Sequence, residues 1–206
     1  MIWTDLRTLL ATTMAGEAPH VEKMTVAAAV ISEIVRQRGM EATLVGGGAI
    51  EFHAPDVYTT TDLDLIVEGR SRDQLDAALT EFGFARRGRH WTMGDLFVEV
   101  PGNWMSDPVD VVSVGSLSLR VIKREIVLAD RIIGFRHWGV TAYGAQAIAL
   151  LSLFGASIDE RVLRDRLRAE SAEDALEPLL ALAGGGERVG EKELQRLLER
   201  LQRTQI

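Results

Sequence analysis

Several features are missing from this sequence, and each absence excludes a class of structure. The chain contains no cysteine, so neither a disulfide framework nor a thiolate metal site is possible. No apolar run reaches the roughly 18 residues that a membrane-spanning helix requires. The first residues lack the basic segment followed by an apolar segment that marks a secretory signal. We therefore expect a cytoplasmic protein with no membrane partner.

Basic residues are also fewer than acidic residues. The chain has 23 Lys and Arg residues against 30 Asp and Glu residues, which gives a net charge of -7. Broad, sequence-independent binding to DNA or RNA needs a large basic surface, so this balance argues against it. Two short basic runs remain, at 86–90 and 120–124. Each is compatible with a local anion contact or with an ordinary solvated surface.

The residues that are present indicate a globular protein with both sheet and helix. Hydrophobic residues make up 47% of the chain and charged residues 26%, which is ordinary for a protein with a buried core. Apolar residues at helical spacing predict a long helix over 20–38, and short apolar runs predict several strands between 43 and 122. We predict an α/β (α+β) fold with a small mixed sheet, flanking helices and a helical C-terminal part. The predicted division is a core with N-terminal helices over 1–138 and a helical region over 139–206.

The most informative stretch runs from residue 44 to residue 67. Its first half is an apolar run that breaks into glycines at Gly46 and Gly47, where a phosphate can approach main-chain N–H groups without meeting a side chain. Its second half is an apolar strand that carries Asp62 and Asp64. Side chains alternate along a strand, so these two carboxylates share a face and repel each other. A Mg²⁺ ion held by their oxygens would relieve that repulsion.

These two motifs together resemble the nucleotidyltransferase superfamily, the DNA polymerase β-like minimal fold. In that family an apolar residue and Gly-Gly open a helix, and Asp-x-Asp lies on the next strand. The longer string, Val45-Gly46-Gly47 followed by residues 58–65, resembles bacterial minimal nucleotidyltransferases related to the abortive-infection toxins. The resemblance implies transfer of a nucleoside monophosphate from an NTP to an acceptor hydroxyl. It also implies Mg²⁺ as the cofactor, with Asp62 and Asp64 as metal ligands and catalytic residues.

The resemblance also implies a third acid on a neighbouring strand. Glu99 lies in the apolar run 98–101, where an unpaired charge would be expensive to bury. Asp110, in the apolar run 109–112, is the rival candidate. We favour Glu99 as the third catalytic and metal-binding acid, because the run 98–101 resembles the corresponding family element.

Four residues are candidates for binding the nucleotide. Gly46 and Gly47, with the helix that follows them, would hold the triphosphate. Lys123 lies where strand gives way to helix, and Arg131 could neutralise phosphate charge with its planar guanidinium. For Arg131 an ion pair with Asp130 is an equally good explanation.

The acceptor cannot be read from the motifs, since a tRNA, a protein hydroxyl and a small molecule all suit this core. Two other hypotheses stay open. One is a catalytically silent protein that binds nucleotides or partners on the same fold. The other is a helical adaptor that uses the leucine stripe of residues 194–201 as its working surface. Neither oligomeric state nor the preferred NTP has a sequence signature here.

Overall fold

The computed structural model describes residues 2–55, 57–69, 71–185 and 189–203. The chain forms two compact units, Met1–Lys123 and Arg124–Ile206. The first unit contains helices and a sheet, and its elements in chain order are α1 (Trp3–Ala15), α2 (His20–Arg36), β1 (Glu41–Val45), α3 (Gly46–His53), β2 (Leu63–Glu68), α4 (Arg72–Phe82), β3 (Ala85–Arg87), β4 (His90–Met93), β5 (Leu96–Gly102), β6 (Val109–Val114) and β7 (Leu117–Ile122). The second unit is helical, with α5 (Arg124–Trp138), α6 (Thr141–Phe154), α7 (Glu160–Ala169), α8 (Leu176–Gly184) and α9 (Glu191–Arg203).

The first unit is organised by its sheet. Over the described residues, seven strands pair in the order β3-β4-β5-β2-β1-β7-β6. Strand β1 is antiparallel to β2 and parallel to β7, and β2 is parallel to β5. The remaining pairs are antiparallel hairpins. The predicted mixed sheet with flanking helices is therefore confirmed.

Helix α2 forms the centre of the core beside the sheet. It is buried continuously from Ala27 to Val35, more than the single apolar face that its helical periodicity predicts. The reason is that α2 contacts β1 and β7 on one side and helices α1, α3 and α4 on others. Three consecutive alanines, Ala27, Ala28 and Ala29, are all fully buried. Their small side chains let the neighbouring elements approach the helix closely.

The second unit packs its helices around α5 and α6. Helix α5 contacts α6 and α7, so it belongs with this unit, and the two units divide at residues 123 and 124. The predicted domain boundary at 138 and 139 remains a prediction. The leucine stripe on α9, made of Leu194, Leu197, Leu198 and Leu201, is buried. It packs on α5 and α6, so it is part of this unit's core and offers no exposed adaptor surface. Among the described helices, none has both the length and the apolar character to cross a membrane.

Candidate active site

The glycines at the end of β1 bring the backbone close to two polar side chains. Gly46 has a φ of +57°, a conformation that side chains with a Cβ rarely adopt. A Cβ on Gly46 would lie 2.2 Å from Oδ2 of Asp64, and a Cβ on Gly47 would lie 2.8 Å from Oγ1 of Thr60. The N–H of Gly47 donates a hydrogen bond of 3.3 Å to Oδ2 of Asp64. Position 46 therefore favours glycine by its backbone conformation as well as by this contact, a Cβ on Gly47 would displace Thr60, and the turn directly contacts one of the predicted acids.

Strand β2 presents its acids away from the core, as its alternation predicts. Leu63 and Leu65 are fully buried, whereas Asp62 and Asp64 are half-buried. Asp64 is paired with Val45 of β1 on one side and with Glu99 of β5 on the other. Asp64 on β2 and Glu99 on β5 are thus neighbours on adjacent strands, with Asp62 just before β2 and Asp64 next to the glycine turn.

Glu99 is contacted by two basic side chains of the neighbouring strand and turn. His90 lies directly opposite Glu99 in the β4–β5 hairpin, and its Nε2 is 3.1 Å from Oε2 of Glu99. Nε of Arg89 is 3.4 Å from the other carboxylate oxygen. Asp62, His90 and Glu99 each place a ligand atom within 4.8 Å of the others. Asp64 is not a member of that group, because its carboxylate faces the Gly46–Gly47 turn.

A buried carboxylate supports the loop before β2. Glu51 of α3 is only 3% exposed, and a buried charge is costly unless it is paired and hydrogen-bonded. Oε1 of Glu51 lies 2.7 Å from Nδ1 of His20, and Oε2 accepts a hydrogen bond of 2.8 Å from the N–H of Thr60. The hydroxyl of Thr60 donates to the carbonyl oxygen of Asp62 at 2.8 Å. Glu51 therefore fixes the backbone that carries Asp62, a role that sequence reasoning missed.

The remaining candidates lie outside this cluster. Asp110 is on β6, the edge strand, and β1 and β7 separate that strand from β2. Oδ1 of Asp110 is 4.0 Å from Nζ of Lys123, which follows the end of β7. Because β7 is parallel to β1, Lys123 lies at the same end of the sheet as Gly46. The structure thus brings Glu99 next to Asp64 and leaves Asp110 at the sheet edge.

Arg131 belongs to the second unit, on α5. Its guanidinium carbon lies 4.5 Å from the centroid of the Tyr143 ring, a cation–π distance. Asp130, its predicted alternative partner, instead lies 3.7 Å from Arg166. Of the two explanations for Arg131, the ion pair with Asp130 is not the contact observed, since Arg131 lies over the Tyr143 ring, and its role in binding nucleotide stays a prediction.

The donor atoms of the cluster suit a divalent cation. Asp62, Asp64 and Glu99 supply carboxylate oxygens, the ligands that Mg²⁺ prefers. His90 adds an imidazole nitrogen, which suits first-row transition ions better. Next to these donors lies the start of α3, where the N–H of Gly47 now donates to Asp64 and would become open to a phosphate once that carboxylate turned to a metal. The site can therefore hold a metal ion beside a phosphate group.

The comparisons with known proteins concern the fold. No protein-family model matches this sequence, and no curated protein is significantly similar to it. An antigenic nucleotidyltransferase-like protein from Paracoccidioides brasiliensis matches the structure with a TM-score of 0.52 at 14% identity, over 79% of this chain and 92% of that chain. The antibiotic-resistance factor ANT(2'')-Ia matches with a TM-score of 0.49 at 18% identity, over 78% of this chain and 97% of that chain. The first likeness establishes a nucleotidyltransferase-like fold, as the motifs predicted, while the closer resemblance to abortive-infection toxins stays a prediction.

Proposed function

We propose that this protein is a metal-dependent nucleotidyltransferase, which moves a nucleoside monophosphate from an NTP to an acceptor hydroxyl and releases pyrophosphate. One observation carries the proposal. On a nucleotidyltransferase-like fold, Asp64 lies between the Gly46–Gly47 turn and Glu99, with Asp62 two residues before it. An acidic strand face without a binding role would not need a glycine turn against its carboxylate.

The three acids would hold the metal. Asp62, Asp64 and Glu99 are the proposed Mg²⁺ ligands, because their oxygens form a hard donor set. Bound Mg²⁺ would neutralise charge on the transferred phosphoryl group and favour ionisation of the acceptor hydroxyl. Catalysis then depends mainly on positioning and charge neutralisation, since phosphoryl transfer needs little covalent chemistry from the protein.

The other residues would position the triphosphate. Gly46 and Gly47 would hold the triphosphate at the start of α3, where the N–H of Gly47 now donates to Asp64, and Lys123 adds a cation at the same end of the sheet. The ammonium of Lys123 already lies 4.0 Å from Asp110. On binding nucleotide it would therefore leave this carboxylate for a phosphate. Arg131 stays a separate proposed nucleotide contact on the second unit, where its guanidinium carbon lies 4.5 Å from the centroid of the Tyr143 ring.

A second candidate function is nucleotide binding without transfer. It is favoured by the contacts of Glu99, whose two carboxylate oxygens each lie within 3.4 Å of a basic group, Arg89 or His90. If these contacts persist when nucleotide binds, the third acid is not available to the metal. The acceptor in the transfer reaction remains a tRNA, a protein or a small molecule.

Labelled NTPs distinguish the two functions. The protein is incubated with each NTP, Mg²⁺ and a cell lysate, and label is followed into RNA, protein and small-molecule fractions. Transfer predicts label in one fraction, and its loss in Asp64→Asn with the circular dichroism spectrum unchanged, because an amide cannot supply the ligand's charge. Silent binding predicts that an NTP with Mg²⁺ raises the melting temperature of the wild type without any labelled product.

A matched pair of variants tests the third acid. Glu99→Gln and Asp110→Asn make the same chemical change on two strands of one sheet. We expect Glu99→Gln to lower turnover by about 100-fold or more, as the loss of one charge-stabilising group does in other active sites. We expect Asp110→Asn to retain activity. The reverse pattern would place the site near β6 and would contradict the proposed arrangement.

A further inference from the structure

We propose that His90 is itself a metal ligand, so that Asp62, His90 and Glu99 form a mixed nitrogen–oxygen site for a divalent first-row transition ion. The inference rests on the proposed function in one respect, which is that both use Asp62 and Glu99 as metal ligands. It makes a distinct claim about which ion the chain selects, since the three acids alone would suit Mg²⁺.

The hairpin geometry places His90 at the site. Strands β4 and β5 pair with Met93 opposite Leu96 and His90 opposite Glu99. Nε2 of His90 consequently lies 3.1 Å from Oε2 of Glu99, and Asp62 completes a group whose ligand atoms are all within 4.8 Å of one another. Ligands about 2.1 Å from one ion are at most about 4.2 Å apart. Small side-chain rotations would therefore bring all three donors onto one ion.

The surroundings allow an ion to enter. The side chains of His90 and Glu99 are 29% and 17% exposed, so the group is partly buried but still accessible to solvent. Arg89, which also contacts Glu99, is 74% exposed. A pair between an exposed arginine and a carboxylate contributes little free energy, so an incoming cation can displace Arg89 into solvent.

The alternative role for His90 is a hydrogen-bond donor that orients Glu99. The two roles make opposite demands on one atom, because ligation needs the lone pair of Nε2 whereas donation needs a proton there. They also differ in metal preference. Imidazole nitrogen suits first-row transition ions better than Mg²⁺, although Mn²⁺ binds least tightly among them. A ligand role therefore predicts a larger effect on Mn²⁺ than on Mg²⁺. An orienting role would affect both ions alike.

The test uses the full-length, metal-free protein and Mn²⁺ alone, without nucleotide. Pulsed electron paramagnetic resonance detects a ligand nitrogen through its hyperfine coupling to bound Mn²⁺, and titration calorimetry gives the affinity. We expect nitrogen coupling in the wild type and its loss in His90→Gln, with Mn²⁺ affinity lowered about tenfold or more. Mg²⁺ affinity should change by less than about threefold, because oxygen donors would still hold that ion.

His137→Gln is the matched control, since His137 contacts the carbonyl oxygen of Glu170 in the second unit. It should leave both the coupling and the affinities unchanged. The wild-type spectrum alone overturns the proposal if it shows no bound Mn²⁺ or no nitrogen coupling, whatever the folding of the variants. Coupling that persists in His90→Gln, or equal losses for Mn²⁺ and Mg²⁺, would also overturn it. Because no nucleotide is present, a protein that binds Mn²⁺ through His90 but transfers nothing would refute only the proposed function.

Discussion

The Gly46→Ala variant tests two properties of the glycine turn, namely its left-handed backbone and its close contact with Asp64. In Gly46→Ala, the new Cβ would lie 2.2 Å from Oδ2 of Asp64, where distances under 3.0 Å are essentially never seen. Cβ of Asp64 is itself only 2.9 Å away, so rotating the carboxylate relieves most but not all of the overlap. We expect Asp64 to leave its present rotamer and to lose the hydrogen bond from Gly47.

The expected loss of stability has two parts. A non-glycine residue in a left-handed conformation costs about 1–2 kcal/mol, and Gly46 has a φ of +57°. An off-rotamer Asp64 adds about 0.5–1.5 kcal/mol. We therefore expect urea-induced unfolding of metal-free Gly46→Ala to show a loss of about 1.5–3.5 kcal/mol. Calorimetry should also show weaker binding of metal and of NTP, because both proposed sites meet at this turn.

Gly139→Ala provides the control for the backbone part alone. Gly139 has a φ of +68°, and a Cβ there would meet nothing within 4 Å. This variant should lose only about 1–2 kcal/mol and should bind metal as the wild type does. If the two alanine variants are equally stable and bind metal equally well, the close approach of Gly46 does not hold Asp64, and the reasoning is refuted.

Two buried polar contacts give further predictions. The indole N–H of fully buried Trp91 donates to Asp76 at 2.6 Å, so Asp76→Ala should cost about 1–3 kcal/mol in denaturant unfolding, while Asp76→Asn keeps an acceptor and should cost less. Burial tends to raise the pKa of Asp76, but hydrogen bonds from Trp91 and Arg86 outweigh it and lower the pKa below the usual value. The folded state is therefore stabilised above the ordinary aspartate range, and this contribution disappears as pH falls through the folded-state pKa; the midpoint of urea unfolding between pH 7 and 3 should fall less steeply in Asp76→Asn than in the wild type. Glu51→Ala should cost about 1–3 kcal/mol, because the N–H of Thr60 loses its buried acceptor, and Glu51→Gln should restore part of that loss; equal unfolding midpoints for these two variants would contradict the supporting role of Glu51.

The local features of the site were predictable because local geometry determines them. Strand alternation buries Leu63 and Leu65 and turns Asp62 and Asp64 the other way, whatever the strand pairs with. The glycine turn is likewise encoded where it occurs, since Gly46 adopts a positive φ that other residues avoid. Periodicity also identified α2, although it underestimated the burial of that helix, which depends on how many elements surround it.

The rest of the site depends on strand order and pairing, which the local pattern does not contain. Glu99 and Asp110 occupy similar apolar strands, and they differ because β5 lies beside β2 whereas β6 is the sheet edge. The sequence does contain a signal for the position of His90. The two-residue turn Gly94–Asp95, with a φ of +60° at Gly94, fixes the hairpin register that puts His90 opposite Glu99. For Glu51 the sequence indicates only that it lies close to this loop; its contact with His20, 31 residues away, depends on how α2 packs.

Before any metal binds, the protein's own cations and hydrogen-bond donors reduce the repulsion among the three acids. Asp64 accepts from the N–H of Gly47, Glu99 lies near Arg89 and His90, and Asp62 accepts a long hydrogen bond of 3.4 Å from the hydroxyl of Thr60. Each of the three carboxylates therefore has a partner that offsets their mutual repulsion. A metal ion must therefore displace these contacts when it binds. For that reason the site's net affinity for the ion is lower than the carboxylate ligands alone would give. The glycine turn cannot move away, because it is backbone, whereas the exposed side chain of Arg89 can. Metal binding should consequently disturb the Glu99 side of the site more than the Asp64 side.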